Sequence, residues 1–272
     1  MEEISKSLPD YERPPVVEVV CGILFKSIEK LLAPHFGLLW EKYKTEYPVC
    51  REVPPLAPAI ERFEKAPRID LQLAEVPPLP RIWFVHKNDN GIIQIQRDRF
   101  LHNWKKVLPE DEYPRYPQVI ELFKDRLSRF ESFLSENNLG VMEPCQYEMS
   151  YINHIPQGEG WTTLNEIGKV FPDFSLRADG RRFLPEPERV NWRTSFVLPD
   201  EAGRLHATIR HAKLHDSGLP VLLLDLTVRG IGKDRSPQGM ADWFDLAREW
   251  IVRGFTDLTG EDVQKSIWRR KK

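Results

Sequence analysis

Two long stretches of helical periodicity limit what this chain can fold into. From Pro117 to Asn137, apolar residues recur at Val119, Leu122, Phe123, Leu127, Phe130, Phe133 and Leu134, and Gly140 stands where a helix-terminating residue is wanted. From Ser236-Pro237, a cap followed by a first-turn proline, Met240, Trp243, Phe244, Ala247, Trp250, Ile251 and Leu258 form a second stripe. A helix with one apolar stripe must lay it against another layer. The segments between the two helices alternate as strands do, and they supply that layer.

Residues 16–26 place Val17, Val19, Cys21, Ile23 and Phe25 on one side and Glu18, Val20, Gly22, Leu24 and Lys26 on the other. A shorter helix follows from Pro34 through Phe36, Leu39, Trp40 and Tyr43, with Pro48 just beyond its end. Residues 49–80 are dense in proline and read as an extended connection with one short strand around 69–73. RIWFVHKNDNGIIQIQRDRF, from residue 81, reads as a hairpin in which the Asn-Gly step at 90–91 supplies positive φ. Further on, Tyr147, Met149, Tyr151, Asn153 and Ile155 line one face of a strand, and Gln146, Glu148, Ser150, Ile152 and His154 the other. TTLNEIGKVF fits a short helix capped by Thr162 or Thr163, and strand-like runs occupy 190–198, 204–213 and 219–229.

The two halves, 1–140 and 141–272, therefore repeat one order: strand, helix, strands, long helix. The first reads β-α-β-β-α and the second β-α-β-β-β-α, a repeat of pattern and not of letters. The expected fold class is α+β, one compact unit with an antiparallel sheet and long helices on one face. That order resembles the duplicated saddle of the TATA-binding-protein type, or a helix-grip arrangement. The other sheet face is then left to water or to a partner.

Bulk properties narrow the function classes. A net charge of −2 provides no global field to gather nucleic acid or an anionic membrane, so either would need a local patch. No apolar run approaches the roughly 20 residues that span a bilayer, and MEEISKSLPDYERPP is too acidic and polar for a secretory signal. Cys21, Cys50 and Cys145 are too few and too scattered for a disulfide framework or a zinc cluster. The expectation is a cytoplasmic protein with reduced thiols, no cofactor and no membrane contact. The glycine loops and nucleophile elbows of common enzyme classes are missing, and GIGKDRS at 230–236 lacks full P-loop spacing. The seven histidines include no pair at ligand spacing, so no metal is expected. His-Ala-Thr at 206–208 is half of a two-histidine phosphoesterase motif, and the second half is missing.

Candidate binding residues sit on the face opposite the packing residues. Glu18 is either an ordinary carboxylate on the open side of a strand or a binding carboxylate. Arg204, His206, Thr208 and Arg210 share one side of their strand, and Arg193, Ser195, Asp225, Thr227 and Arg229 would join them if the register cooperates. Such a row of guanidinium, imidazole and hydroxyl donors could grip an acidic peptide or a phosphate backbone; the alternative is charge placed to keep exposed strands apart. His154, His206 and Glu148 are the acid–base groups open to an enzyme assembled from distant residues. Trp192 reads as core, Trp161 as a loop residue, and Trp268 as a clamp ahead of a solvated basic tail, residues 269–272.

YERPPVVEVVCGILF, HFGLLWEKYKTEYP, YINHI and Trp268 together resemble a sporadically distributed family of uncharacterised bacterial proteins. The resemblance covers essentially the whole chain, rests on structural motifs and brings no catalytic residues. Its patchy distribution implies mobile cassettes, antiviral defence and toxin–antitoxin pairs among them. Three functions follow as expectations. The first is a non-enzymatic interaction module for a protein encoded nearby or for a second copy. The others are a nucleic-acid binder using the arginine row, and an enzyme.

Overall fold

A computed structural model describes residues 7–57, 59–63, 79–176, 183–214 and 217–271. The short strand expected around 69–73 lies outside the described residues. Among the described residues nine strands are present: β1 (Val16–Phe25), β2 (Val49–Val53), β3 (Arg81–Val85), β4 (Gly91–Gln96), β5 (Arg99–Lys105), β6 (Pro144–Pro156), β7 (Asn191–Val197), β8 (Arg204–Lys213) and β9 (Pro220–Gly230). The helices are α1 (Ala33–Tyr43), α2 (Arg115–Glu136), α3 (Ile167–Val170), α4 (Pro237–Leu258) and α5 (Glu261–Ser266). The fold is α+β, and the strands form one antiparallel sheet in the order β2-β3-β4-β5-β1-β6-β9-β8-β7. Among the described residues no helix is long and apolar enough to cross a membrane.

Two strands were not expected, and each lacks alternation for its own reason. In β2, an edge strand, four of five residues are exposed, so neither face is marked by apolar residues. In β5, RFLHNWK is buried on both faces through Trp104, which erases the period-two contrast. The hairpin at 88–91 forms, but its positive φ falls on Asp89 (57°) and not on Gly91.

Strand pairing sorts the side chains. Cys21 lies opposite His102 on β5 and Met149 on β6, and Val19, Cys21 and Ile23 are fully buried. On this Cys21 face, Phe123 and Phe130 of α2 meet Phe100 at 6.3 and 5.3 Å, and Trp243 and Phe244 of α4 meet Tyr147 at 5.4 and 5.9 Å. Phe123 and Phe244 join the two helices at 5.2 Å. The helix starts follow their capping chemistry. Ser236 Oγ accepts from the Gly239 N–H at 3.1 Å, and Glu166 accepts from the Thr162 N–H at 2.7 Å.

Other details depart from expectation. Leu122, assigned to the α2 stripe, is 41% exposed. The left-handed residue ending α2 is Asn138 (φ 54°), with the Leu139 N–H closing on the Leu134 carbonyl, so Gly140 is not the terminator. Trp161 is buried and donates Nε1–H to the Ile155 carbonyl at 3.1 Å; Trp192 is half-buried. Trp268 is buried 5.0 Å from Phe255, as a clamp should be, but the tail after it is not free. Arg269 pairs with Glu12 at 2.8 Å, Arg270 bridges to Tyr11, and the Lys271 N–H donates to the Asp10 carbonyl at 2.8 Å. Main-chain pairing with the N-terminal segment offsets the entropy that would otherwise free those residues.

Candidate functional site: the polar sheet face

The registers gather the residues singled out from the sequence. Arg204, His206 and Thr208 lie opposite Arg229, Thr227 and Asp225 of β9, and β7 adds Ser195 opposite His206 and Arg193 opposite Thr208. Through β6 the same rows reach Glu148, Ser150 and Ile152, and through β1 they reach Gly22, Val20 and Glu18. Arg210 and His154 both lie opposite Leu223, on a parallel row. Because side chains alternate, all of these occupy one face, the Glu18 face.

Expected to stand bare, this face is crossed by the chain itself. After β2, the described residues of the proline-rich run PPLAPAIERF, 54–57 and 59–63, pass over β4, β6 and β8. Gln96 of β4 accepts from the Leu56 N–H at 2.8 Å and returns its own amide hydrogen to the Leu56 carbonyl at 3.3 Å. Gln146 of β6 accepts from the Glu61 N–H at 2.7 Å and donates to the Ala59 carbonyl at 2.9 Å. The Glu61 carboxylate meets Arg204 Nη1 at 2.8 Å and His206 Nε2 at 2.5 Å. Arg204 also donates to the Arg62 carbonyl at 2.8 Å and lies 4.2 Å over the Phe63 ring. Burial pushes the Glu61 carboxyl upward, but the hydrogen bonds from His206 and Arg204 outweigh it and hold the group below the usual carboxylate range.

The remaining groups divide by partner. Arg229 pairs with Glu148 on the neighbouring strand. Thr227 donates to Asp225 at 2.8 Å, so Ser150, 2.6 Å away, donates to Thr227. Glu18 ends a relay across the first half: Trp83 Nε1 donates to Gln94, Gln94 to Asn103 at 2.7 Å, and Asn103 to Glu18 at 2.5 Å. Burial raises the Glu18 carboxyl more than the Asn103 hydrogen bond lowers it. Gly22 leaves the room that Leu101 fills, since a Cβ there would lie 2.1 Å from Leu101 Cδ2. Arg193 and Arg210 are exposed and have no ion pair among the described residues.

The three candidate acid–base groups are held apart. Glu148 is engaged by Arg229, His206 by Glu61, and His154 lies six residues from Glu148 on β6, roughly 20 Å along the strand. Burial lowers the His154 pKa. Among the described residues no three His, Cys, Asp or Glu side chains converge as a metal-ligand set.

Sequence reading placed Gln146 on this face without a role, and missed Glu61 and Gln96. The available signal was Glu-Arg-Phe at the end of an extended proline run, an acid beside an aromatic in a segment that cannot coil into a helix. Together these groups have the chemistry of peptide recognition. Two glutamines read main-chain N–H and C=O, and a guanidinium with an imidazole reads a carboxylate. No protein-family model, curated protein or solved structure matches this chain.

Proposed function

We propose that this chain is a non-enzymatic protein-interaction module whose Glu18 face binds an extended acidic segment of a partner protein. Residues 54–57 and 59–63 hold that place in the isolated chain. The observation that carries the reading is the Glu61 clasp on Arg204 and His206, flanked by the paired amide contacts of Gln96 and Gln146. A face that satisfies both the main chain and the acid of one extended segment is suited to another with the same pattern. The sheet is read as a saddle of the TATA-binding-protein type, with α2 and α4 backing one face. In support, strand order outward from the centre is β1-β5-β4-β3-β2 on one side and β6-β9-β8-β7 on the other, first strand then last in each half, with β2 an extra edge strand. A partner encoded in the same mobile cassette suits the resemblance drawn from the sequence.

The test is binding in trans. Residues 54–63 are replaced by a Gly/Ser segment, and labelled PPLAPAIERF peptide is titrated by fluorescence anisotropy. Saturable binding is expected, at least ~10-fold weaker for a peptide carrying Glu61→Lys or a protein carrying Arg204→Glu, as loss of a charge-assisted pair requires. Absence of binding, or equal binding to the Arg204→Glu protein, overturns the reading. A second reading, nucleic-acid binding, is favoured by Arg193 and Arg210 on the same face, which have no ion pair among the described residues. Duplex DNA binding that falls steeply with salt and disappears in Arg193→Ala/Arg210→Ala would move the assignment there.

A further inference from the structure

On the Cys21 side of the sheet, a cavity of about 110 Å³ lies between the N-terminal segment and helices α2 and α4. Its walls are Pro14, Tyr113, Tyr151, Leu226, Arg248 and Phe255. Three polar facts about this lining point to a ligand.

The Tyr113 and Tyr151 hydroxyls are 2.7 Å apart, so one proton lies between them and the other has no acceptor among the described residues. Tyr151 is only 7% exposed, and burial pushes the Tyr113 hydroxyl up to about 12, so both phenols stay protonated at neutral pH. Arg248 is half-buried over the Tyr116 ring at 4.8 Å and has no carboxylate partner among the described residues. The acid three residues before it, Asp245, already accepts from Tyr116 Oη at 2.6 Å. The other guanidinium at the cavity, Arg115, is occupied by Asp10 and the Tyr11 carbonyl, both at 3.1 Å. A spare phenolic O–H and a guanidinium without a carboxylate partner among the described residues thus line one cavity together with apolar walls.

We infer that this cavity binds a small carboxylate, its carboxyl group held by Arg248 and the spare O–H of the Tyr113–Tyr151 pair, its short apolar body against Pro14, Leu226 and Phe255. Size sets the body. A dry cavity of ~150 Å³ accepts benzene, so this one takes about four carbons. Selection is by charge first and by the apolar body second, which separates the site from one for a free phosphate. The inference is independent of the polar sheet face.

Ligand-observed NMR on the full chain tests it, with butyrate, its neutral isostere butyramide and inorganic phosphate as probes. Butyrate is expected to bind at least ~10-fold more tightly than butyramide and than phosphate. Arg248→Gln should cost at least ~10-fold, Arg248→Lys should restore part of the loss, and the double variant Tyr113→Phe/Tyr151→Phe should cost ~2–10-fold, the range of one neutral hydrogen bond. No butyrate signal up to about 50 mM, where a six-atom ligand in a fitting pocket must register, overturns the inference. So does equal binding of butyramide, preference for phosphate, or unchanged affinity in either Arg248→Gln or Tyr113→Phe/Tyr151→Phe. If Arg248→Gln fails to fold, Tyr113→Phe/Tyr151→Phe and the butyramide comparison still decide.

Discussion

Two polar networks on the Glu18 face, one in each half of the molecule, are completed differently. In the first half, Gln94, Asn103 and Glu18 complete one another through a relay confined to β3, β4, β5 and β1. In the second half, Arg204 and His206 find their acid on residue 61, which belongs to no strand and lies more than a hundred residues away in the chain. A relay within the sheet cannot leave without unfolding the sheet. A carboxylate carried by a crossing segment can be exchanged for another. The first arrangement belongs to the sheet itself, and the second is the one on which the proposed recognition rests.

Breaking each arrangement should therefore give unequal effects. Asn103→Ala removes the middle of the relay and strands Gln94 and the Glu18 carboxyl, so it should cost about 2–4 kcal/mol in urea denaturation. On the reverse side of the same strand, His102 is buried beside Tyr47 Oη (3.2 Å), and burial pushes its pKa down to about 3. The unfolded chain takes up a proton near pH 6.5 that the folded chain refuses, so stability should fall as pH drops from there toward 3. The slope should approach ~1.4 kcal/mol per pH unit, and denaturation at pH 7, 6 and 5 reads it. His102→Asn should flatten that limb. Glu61→Gln, by contrast, should cost about 1–2 kcal/mol, since the amide oxygen still accepts from Arg204 and only the charge assistance of a partly buried pair is lost. The same substitution should raise the affinity of added PPLAPAIERF peptide. Arg193→Ala should change stability by less than ~0.5 kcal/mol, because the side chain is exposed and unpaired.

Much of this was legible in the sequence. The alternation of 147–155 and 204–210, and the stripe of α4 with its Ser236 cap, fix which side chains face the core, because one face is apolar in all but Asn153. Arg204, His206 and Glu18 could be assigned to a common face on that basis. Their partners could not, since contacts such as Glu61 with His206 depend on where an irregular segment passes, and such a segment has no period to read. The same limit hid β5, buried on both sides, and the docking of Arg269 and Arg270, which rests on main-chain pairing indifferent to side-chain type.

Amide hydrogen exchange offers the most direct check that residues 54–63 are held by the clasp and are separable from the fold. The Leu56 and Glu61 amides donate to Gln96 and Gln146, while Val19 sits in the central strand β1. In Arg204→Glu, exchange at Leu56 and Glu61 should accelerate at least ~10-fold while Val19 keeps its protection, as expected for local opening. Unchanged exchange at both positions, or loss of protection at Val19 in step with them, would contradict the account.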